Sequence, residues 1–408
     1  MFTKLNNYPK FISTINFNME LILLKLYIIL STIGIMSYSF NETEIFLYNI
    51  IGFIYIIYYV FNNKLYYSKY VFLKILVFCY IFTLLINILL LQKSYILYWF
   101  IETTNIIFMS ILIKNKSDNN LFKLKEFMLK CFIIVLIASL VFYFIGKNSV
   151  FLGINGMKFT EVSDMINQFN EPRLSWAFYH KSRYALFCYL ILYSILERKF
   201  KYNVNKSLLL ILLFINLYLT STATTMVASI LYLMYWLIKN YKINNKFLKY
   251  IIGLISIIVV FIVSYYLISL ISETRNIYTI GGRRYIWQSS IELIKQNFIG
   301  IIRFPENFSI YNNFYWGQSF TNPHNVFLTN MLLKGYISGT LFCIYLIFIP
   351  VIYTEKIDFK VFYLLMIIII FNMDSVLSER IWGIYSIAIP LFMKSYKGVN
   401  YESINYIK

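Results

Sequence analysis

Long runs of apolar residues, each closed off by a cluster of lysine, asparagine or acidic residues, follow one another from residue 21 to residue 393. A hydrocarbon layer of about 30 Å needs about 20 helical residues per crossing. A backbone inside lipid must also satisfy its own amide groups, which helices do. Twelve runs meet this description, at about residues 21–40, 45–61, 70–91, 95–113, 127–145, 183–196, 207–219, 225–238, 249–270, 325–353, 359–373 and 381–393. The last two are short. Each must tilt among its neighbours, borrow length from the polar segment 374–380, or re-enter from one side. The expected architecture is an all-α integral membrane protein, one polytopic domain over residues 1–408.

Composition excludes the main alternative. The chain is 60% hydrophobic and 13% charged, with a mean hydropathy of +0.66, whereas soluble domains are about 45–50% apolar and about 25% charged. A formal charge of +19 would point to nucleic acid in a soluble chain. Here, with the N-terminus placed inside, 24 of the 37 Lys and Arg and 7 acids fall on the inner side, against 12 and 10 on the outer side. The excess is therefore a positive-inside bias with both termini cytoplasmic, and no nucleic-acid partner is expected. Nothing near Met1 resembles a removable signal, so the first span is expected to stay. The four cysteines lie inside apolar runs without a CxxC pair, which supports neither a disulfide framework nor a metal site.

Two outer segments are long, residues 146–182 and 271–323, while the other outer connections are brief. Loops of that size in a compact protein usually carry function. No internal repeat relates the two halves of the chain. Both histidines of the chain, His180 and His324, fall at the ends of these two loops, where the chain re-enters an apolar run. A histidine there can be merely solvated, but it can also move protons near neutral pH.

Arg173, His180 and Arg183 form a local cationic cluster suited to an anionic ligand such as a phosphate, which guanidinium grips as a fork; pairing with Glu161, Asp164 or Glu171 is the structural alternative. The second loop carries Arg283 and Arg284, then an amphipathic stretch in which Trp287, Ile291, Ile294 and Phe298 recur at helical spacing. Such a helix would lie on the outer membrane surface and hold both arginines at headgroup depth, within reach of a lipid-linked phosphate. Nonspecific headgroup binding is the plainer reading. Glu102 falls inside an expected span, where a carboxylate needs a partner or a wet cavity.

Taken together, Arg284-Tyr285-Ile286-Trp287, Gly300, Pro323-His324-Asn325-Val326-Phe327-Leu328 and Gly335 resemble the core of the O-antigen ligase and O-antigen polymerase superfamily over about residues 281–348. A weaker resemblance covers Arg173 to Ala185. Departures are present: Thr222-Ala223-Thr224 stands where the family often has Ser-Arg, Gly300-Ile301-Ile302 replaces a Gly-x-Gly, Leu333 replaces an acid, and Ser338 replaces a glycine.

The resemblance implies a metal-independent membrane glycosyltransferase without a cofactor. Its donor would be an undecaprenyl-diphosphate-linked oligosaccharide at the outer face of the bacterial inner membrane, with membrane lipids and a chain-length regulator protein as partners. His324 would act as general base, Asn325 would orient the reacting groups, and Arg284, Arg283, Arg173, His180 and Arg183 would bind substrate. The strongly biased composition resembles that of serotype-specific polymerases, so polymerase is favoured over ligase. A flippase for lipid-linked oligosaccharide is the alternative of another class, disfavoured by the missing repeat and by the two long loops.

Overall fold

The computed structural model describes residues 9–33, 35–40, 43–62, 70–91, 95–114, 118–153, 156–169, 173–198, 203–240, 283–301, 309–313 and 318–394. Among them, α3 (Val71–Leu91), α4 (Ile96–Lys114) and the greater part of α5 (Asp118–Phe144) are long and apolar enough to cross a membrane. Shorter apolar helices add to these, including α2 (Leu47–Asn62), α8 (Asn203–Leu219), α12 (Tyr336–Ile352) and α14 (Glu379–Met393), and α9 (Ala223–Asn240) follows α8. The protein is mostly helical and membrane-embedded. The span expected at 249–270 lies outside the described residues, which by themselves do not number twelve crossings.

The reason for the outward apolar surface is visible in α3. Leu73, Leu76, Tyr80, Leu84 and Ile88 recur every three or four residues and are buried against neighbouring helices, while Phe72, Phe78 and Leu90 on the other faces are exposed. A helix that is apolar all round but buried on one side needs lipid on the other. By contrast, α7 (Lys181–Glu197) is buried from Tyr184 to Leu196 without a break, and α14 from Ile381 to Met393. These two helices form the centre of the bundle. Tyr189 on α7 donates to the Phe362 carbonyl at 2.9 Å, and the Tyr363 and Tyr385 hydroxyls meet at 2.6 Å.

Two expected spans take a different form. In place of a helix over 21–40, α1 runs Pro9–Thr32 and the chain then enters strand β1 (Met36–Phe40). Thr32 turns its hydroxyl back onto the Ile28 carbonyl at 2.6 Å, and Ser37-Tyr38-Ser39-Phe40 alternates at the period of a strand. Strand β1 pairs with β2 (Thr43–Phe46) and, in parallel, with β3 (Lys147–Gly153), which pairs with β4 (Gly156–Glu161). The order β2-β1-β3-β4 ties the first long loop, with its short helix α6 (Val162–Phe169), to the chain between α1 and α2. A small sheet therefore accompanies the helices.

The span expected at 325–353 is broken into α11 (Val326–Lys334) and α12 at Gly335, whose φ is +87°. A Cβ there would lie 2.3 Å from the Ile299 carbonyl oxygen, so only glycine fits. Asn87 of α3 satisfies the freed Lys334 carbonyl at 2.8 Å. Gly300 meets the same turn from the other side. Between them, these contacts fix where α11 ends.

At one end of the bundle, Lys125 pairs with Glu197 at 2.8 Å, Lys356 pairs with the same Glu197, Arg198 with Glu126 at 3.2 Å and Lys239 with Asp358. The other end carries both histidines.

Candidate active site

Three helix ends meet at the histidine end. The first is the N-terminus of α7, where His180 is the capping residue and its Nδ1 accepts the Ser182 N–H at 3.3 Å. The second is the N-terminus of α11. Asn325 caps it, its side-chain oxygen accepting the N–H groups of Phe327 and Leu328 at 2.9 and 3.0 Å. The third is the C-terminus of α13 (Ile357–Leu365), which continues as one π-helical segment, Met366–Phe371, and through the helical Asn372 and Met373 to Asp374 and Ser375. Such π segments are frequent at functional sites.

Asn325 locks the second end to the third. Its amide donates to the Asn372 carbonyl at 3.2 Å, and its backbone N–H donates to Ser375 Oγ at 3.0 Å. Thr329 adds a hydroxyl contact to Ser375 at 2.7 Å. The Asn325 side chain is thus committed to holding the site together.

Asp374 joins all three. Its carboxylate accepts the Ser182 hydroxyl from α7 and the Ser375 N–H at 2.9 Å, and lies 3.6 Å from His324 Nδ1. Burial opposes its charge, but the contact with His324 and the Ser182 hydroxyl outweighs burial and holds the carboxyl well below the usual carboxylate range. The two helix N-termini nearby favour the same negative charge.

Around these residues lies a cavity of about 240 Å³, lined by His180, Arg183, Phe320, Thr321, Asn322, His324, Asp374 and Ser375. His324 has φ +51°, left-handed backbone that a residue with a Cβ adopts only under constraint. The constraint is Asn322, whose side-chain oxygen receives the His324 N–H at 2.9 Å. Phe320 ends the hairpin of β5 (Tyr311–Asn313) and β6 (Gln318–Phe320) that leads the chain into the cavity wall.

Of the residues named from the sequence, His180, Arg183 and His324 line this cavity, and Asn325 sits directly behind it. Arg173 does not line it; its carbonyl accepts the Asn148 amide at 3.2 Å on the approach to the sheet. Arg283 and Arg284 also stand outside the lining. They head α10 (Arg283–Gln296), Arg284 exposed and Arg283 half-buried. That helix is amphipathic, but its buried face is Ile286, Ser290 and Ile294, packed with Leu328, Met331 and Leu332 of α11. The apolar face expected through Trp287 is therefore turned: α11 fills one side, and only Tyr285, Ile291 and Phe298 remain exposed.

Asp374, Ser182, Ser375 and Asn322 were not legible as site residues. The one available signal was an acid at the end of a run too short to span, Asp374 after residues 359–373.

His180 shows its protonation state through its bonds. Desolvation of the ring, reinforced by Arg183 and Lys181 and opposed by Asp374, lowers it from 6.5 to about 4. Its Nδ1 is already an acceptor, so near neutral pH it is a neutral Nε2–H donor facing the cavity. The unfolded chain takes up a proton between pH 6.5 and 4 that the folded chain refuses, so stability falls as pH drops through that window. His180→Gln is expected to flatten that fall, read as the thermal midpoint in detergent from pH 7 to 4.5; an unchanged slope would remove the assignment.

Residues 208–343 match the O-antigen ligase family model. That stretch is similar to the O-antigen ligases. The match supports the O-antigen polymerase and ligase superfamily, and with it a polymerase- or ligase-type membrane enzyme. The matched stretch runs from α8 into the first half of α12 and contains His324, Asn325, Arg283 and Arg284. His180, Arg183 and Asp374 lie outside it, so the cavity is closed by segments on both sides of the matched stretch. No curated protein matches the chain.

Proposed function

We propose that the chain is a surface-polysaccharide polymerase that moves a growing glycan from undecaprenyl diphosphate to the terminal sugar of a lipid-linked repeat unit. The reaction takes place at the outer face of a bacterial inner membrane, with both termini cytoplasmic. The observation that carries this reading is the His324–Asp374 pair, at 3.6 Å, in a polar cavity at the end of a membrane bundle that holds the stretch similar to the O-antigen ligases.

The chemistry follows from the arrangement. Asp374 takes the Nδ1 side of His324 and leaves Nε2 to accept the proton of the acceptor hydroxyl. The hydroxyl oxygen then forms a bond to the anomeric carbon as the bond from that carbon to the diphosphate oxygen breaks. The leaving diphosphate keeps the electron pair, and Arg183 with the neutral His180 N–H stabilises the charge as it develops. Arg283 and Arg284, on a surface helix, receive the lipid-linked diphosphate as it arrives, and Arg173 stands near the approach to α7.

A ligase reading is favoured by the family matched, whose members are described as O-antigen ligases. Both reactions share the donor and differ only in the acceptor. Complementation of strains lacking either activity separates them. Restoration of a multi-band polysaccharide ladder from single-repeat product supports the polymerase; restored attachment of preformed chains to lipid A core would establish the ligase instead, and neither outcome would remove the enzyme reading.

A further inference from the structure

Tyr179 precedes His180 at the rim of the cavity. Three observations coincide at this residue. Its φ is +67°, a left-handed conformation that is an outlier for a bulky side chain and that clusters at binding sites. Its side chain is 62% exposed, although the residues from Leu174 to Phe178 just before it are all buried. Its ring is backed by the Arg380 guanidinium, 5.6 Å from the ring centroid.

Arg380 is itself fixed. It is buried, pairs with Glu44 at 3.2 Å and lies 5.5 Å from the Phe46 ring. Strand β2 and the start of α14 therefore hold the support under Tyr179 in one place. The result is a flat aromatic face, rigid from below, beside a cavity built to react a sugar hydroxyl.

A tyrosine in an interfacial belt is the ordinary alternative. A belt residue gains nothing from a left-handed backbone or from a buried guanidinium behind its ring. A platform that must present one face at a set distance from His180 gains from both.

We propose that Tyr179 is a carbohydrate-stacking residue, which receives the C–H face of a pyranose ring next to the one that reacts at His324. This rests on the glycan-transfer reading above. Aromatic faces present an apolar, weakly negative surface to the C–H edges of a sugar, while the sugar's hydroxyls remain free for polar partners such as Lys181 and His180. Such a contact would hold the chain in register without reading the identity of the reacting sugar.

The test uses the full-length protein in detergent and, as probe, oligosaccharides released by mild acid from the surface polysaccharide of the cells that encode it. Affinity is measured for wild type, Tyr179→Leu and Tyr179→Trp, with the thermal midpoint of each. Leucine keeps apolar bulk and faces the same backbone conformation, but it lacks the flat face. Tyr179→Leu is expected to weaken binding about tenfold, with Tyr179→Trp within about threefold of wild type and all three midpoints equal. If wild type binds the probe and Tyr179→Leu binds it equally well, the stacking role is wrong while the glycan-transfer reading stands. A folded wild type that binds none of these oligosaccharides would overturn that reading and the role of Tyr179 together.

Discussion

His324→Asn is expected to lower glycan transfer by about 10²- to 10⁴-fold, the range over which a positioned general base acts. Asparagine tolerates the left-handed backbone that this position imposes, φ +51°, and keeps the N–H that binds Asn322. It cannot take up the hydroxyl proton. Loss of activity with an unchanged thermal midpoint therefore isolates the chemistry from the fold. Asp374→Asn removes the charge facing His324 Nδ1 but leaves Ser182 and Ser375 within bonding reach, and a smaller loss of about 10- to 100-fold is expected. Transfer by His324→Asn within threefold of wild type would take that histidine out of the mechanism. Equal losses from both variants would mean that the pair acts as a unit.

The second large effect lies one helix length deeper. Lys334 closes α11 with 2% of its side chain exposed, and its ammonium reaches Glu102 of α4 at 2.5 Å and the Tyr80 hydroxyl at 3.2 Å, with the Phe342 ring centroid 4.3 Å away. Tyr80 also donates to Glu102 at 3.3 Å. Removing one member of a buried pair leaves a bare charge and costs about 3–5 kcal/mol, whereas replacing both by apolar residues of similar size is often nearly neutral. Lys334→Met is therefore expected to lower the thermal midpoint in detergent sharply, and Glu102→Leu/Lys334→Met to recover most of the loss. Because α11 is held by Asn325 at one end and Lys334 at the other, the single variant is also expected to lose transfer activity. A single variant as stable as wild type would show that the pair does not anchor the helix.

These effects also mark where sequence reasoning reaches its limit. A buried carboxylate at Glu102 calls for a partner on electrostatic grounds alone, and Lys334 is the single charge in the apolar run 325–353. Their pairing depends on a break at Gly335 that brings the end of α11 back against α3 and α4. That break is invisible in the apolar pattern of residues 325–353, because hydropathy counts residues and not backbone direction. The left-handed φ and the 2.3 Å approach to Ile299 are properties of the packed chain. Strand β1 is a similar case. Its Ser-Tyr-Ser-Phe alternation is weak beside the preceding apolar run, and its pairing with β3 joins residues more than a hundred positions apart.

What the sequence determined by itself follows from solvent. The length of the apolar runs and the lack of charged residues require helices in lipid, and the sparse polar groups stand out against that background. That contrast is why both histidines, the arginines and Asn325 were visible. Only the tertiary structure decided which of them share a cavity. It drew His180, Arg183 and His324 together through Asp374 and Ser182, left Arg173, Arg283 and Arg284 outside the lining, and turned α10 so that α11 covers one of its faces. The physical reason is that a cavity is defined by where helices end relative to one another. Those positions are set by a few long-range bonds, Asn325 to Asn372 and Ser182 to Asp374, that leave no periodic trace along the chain.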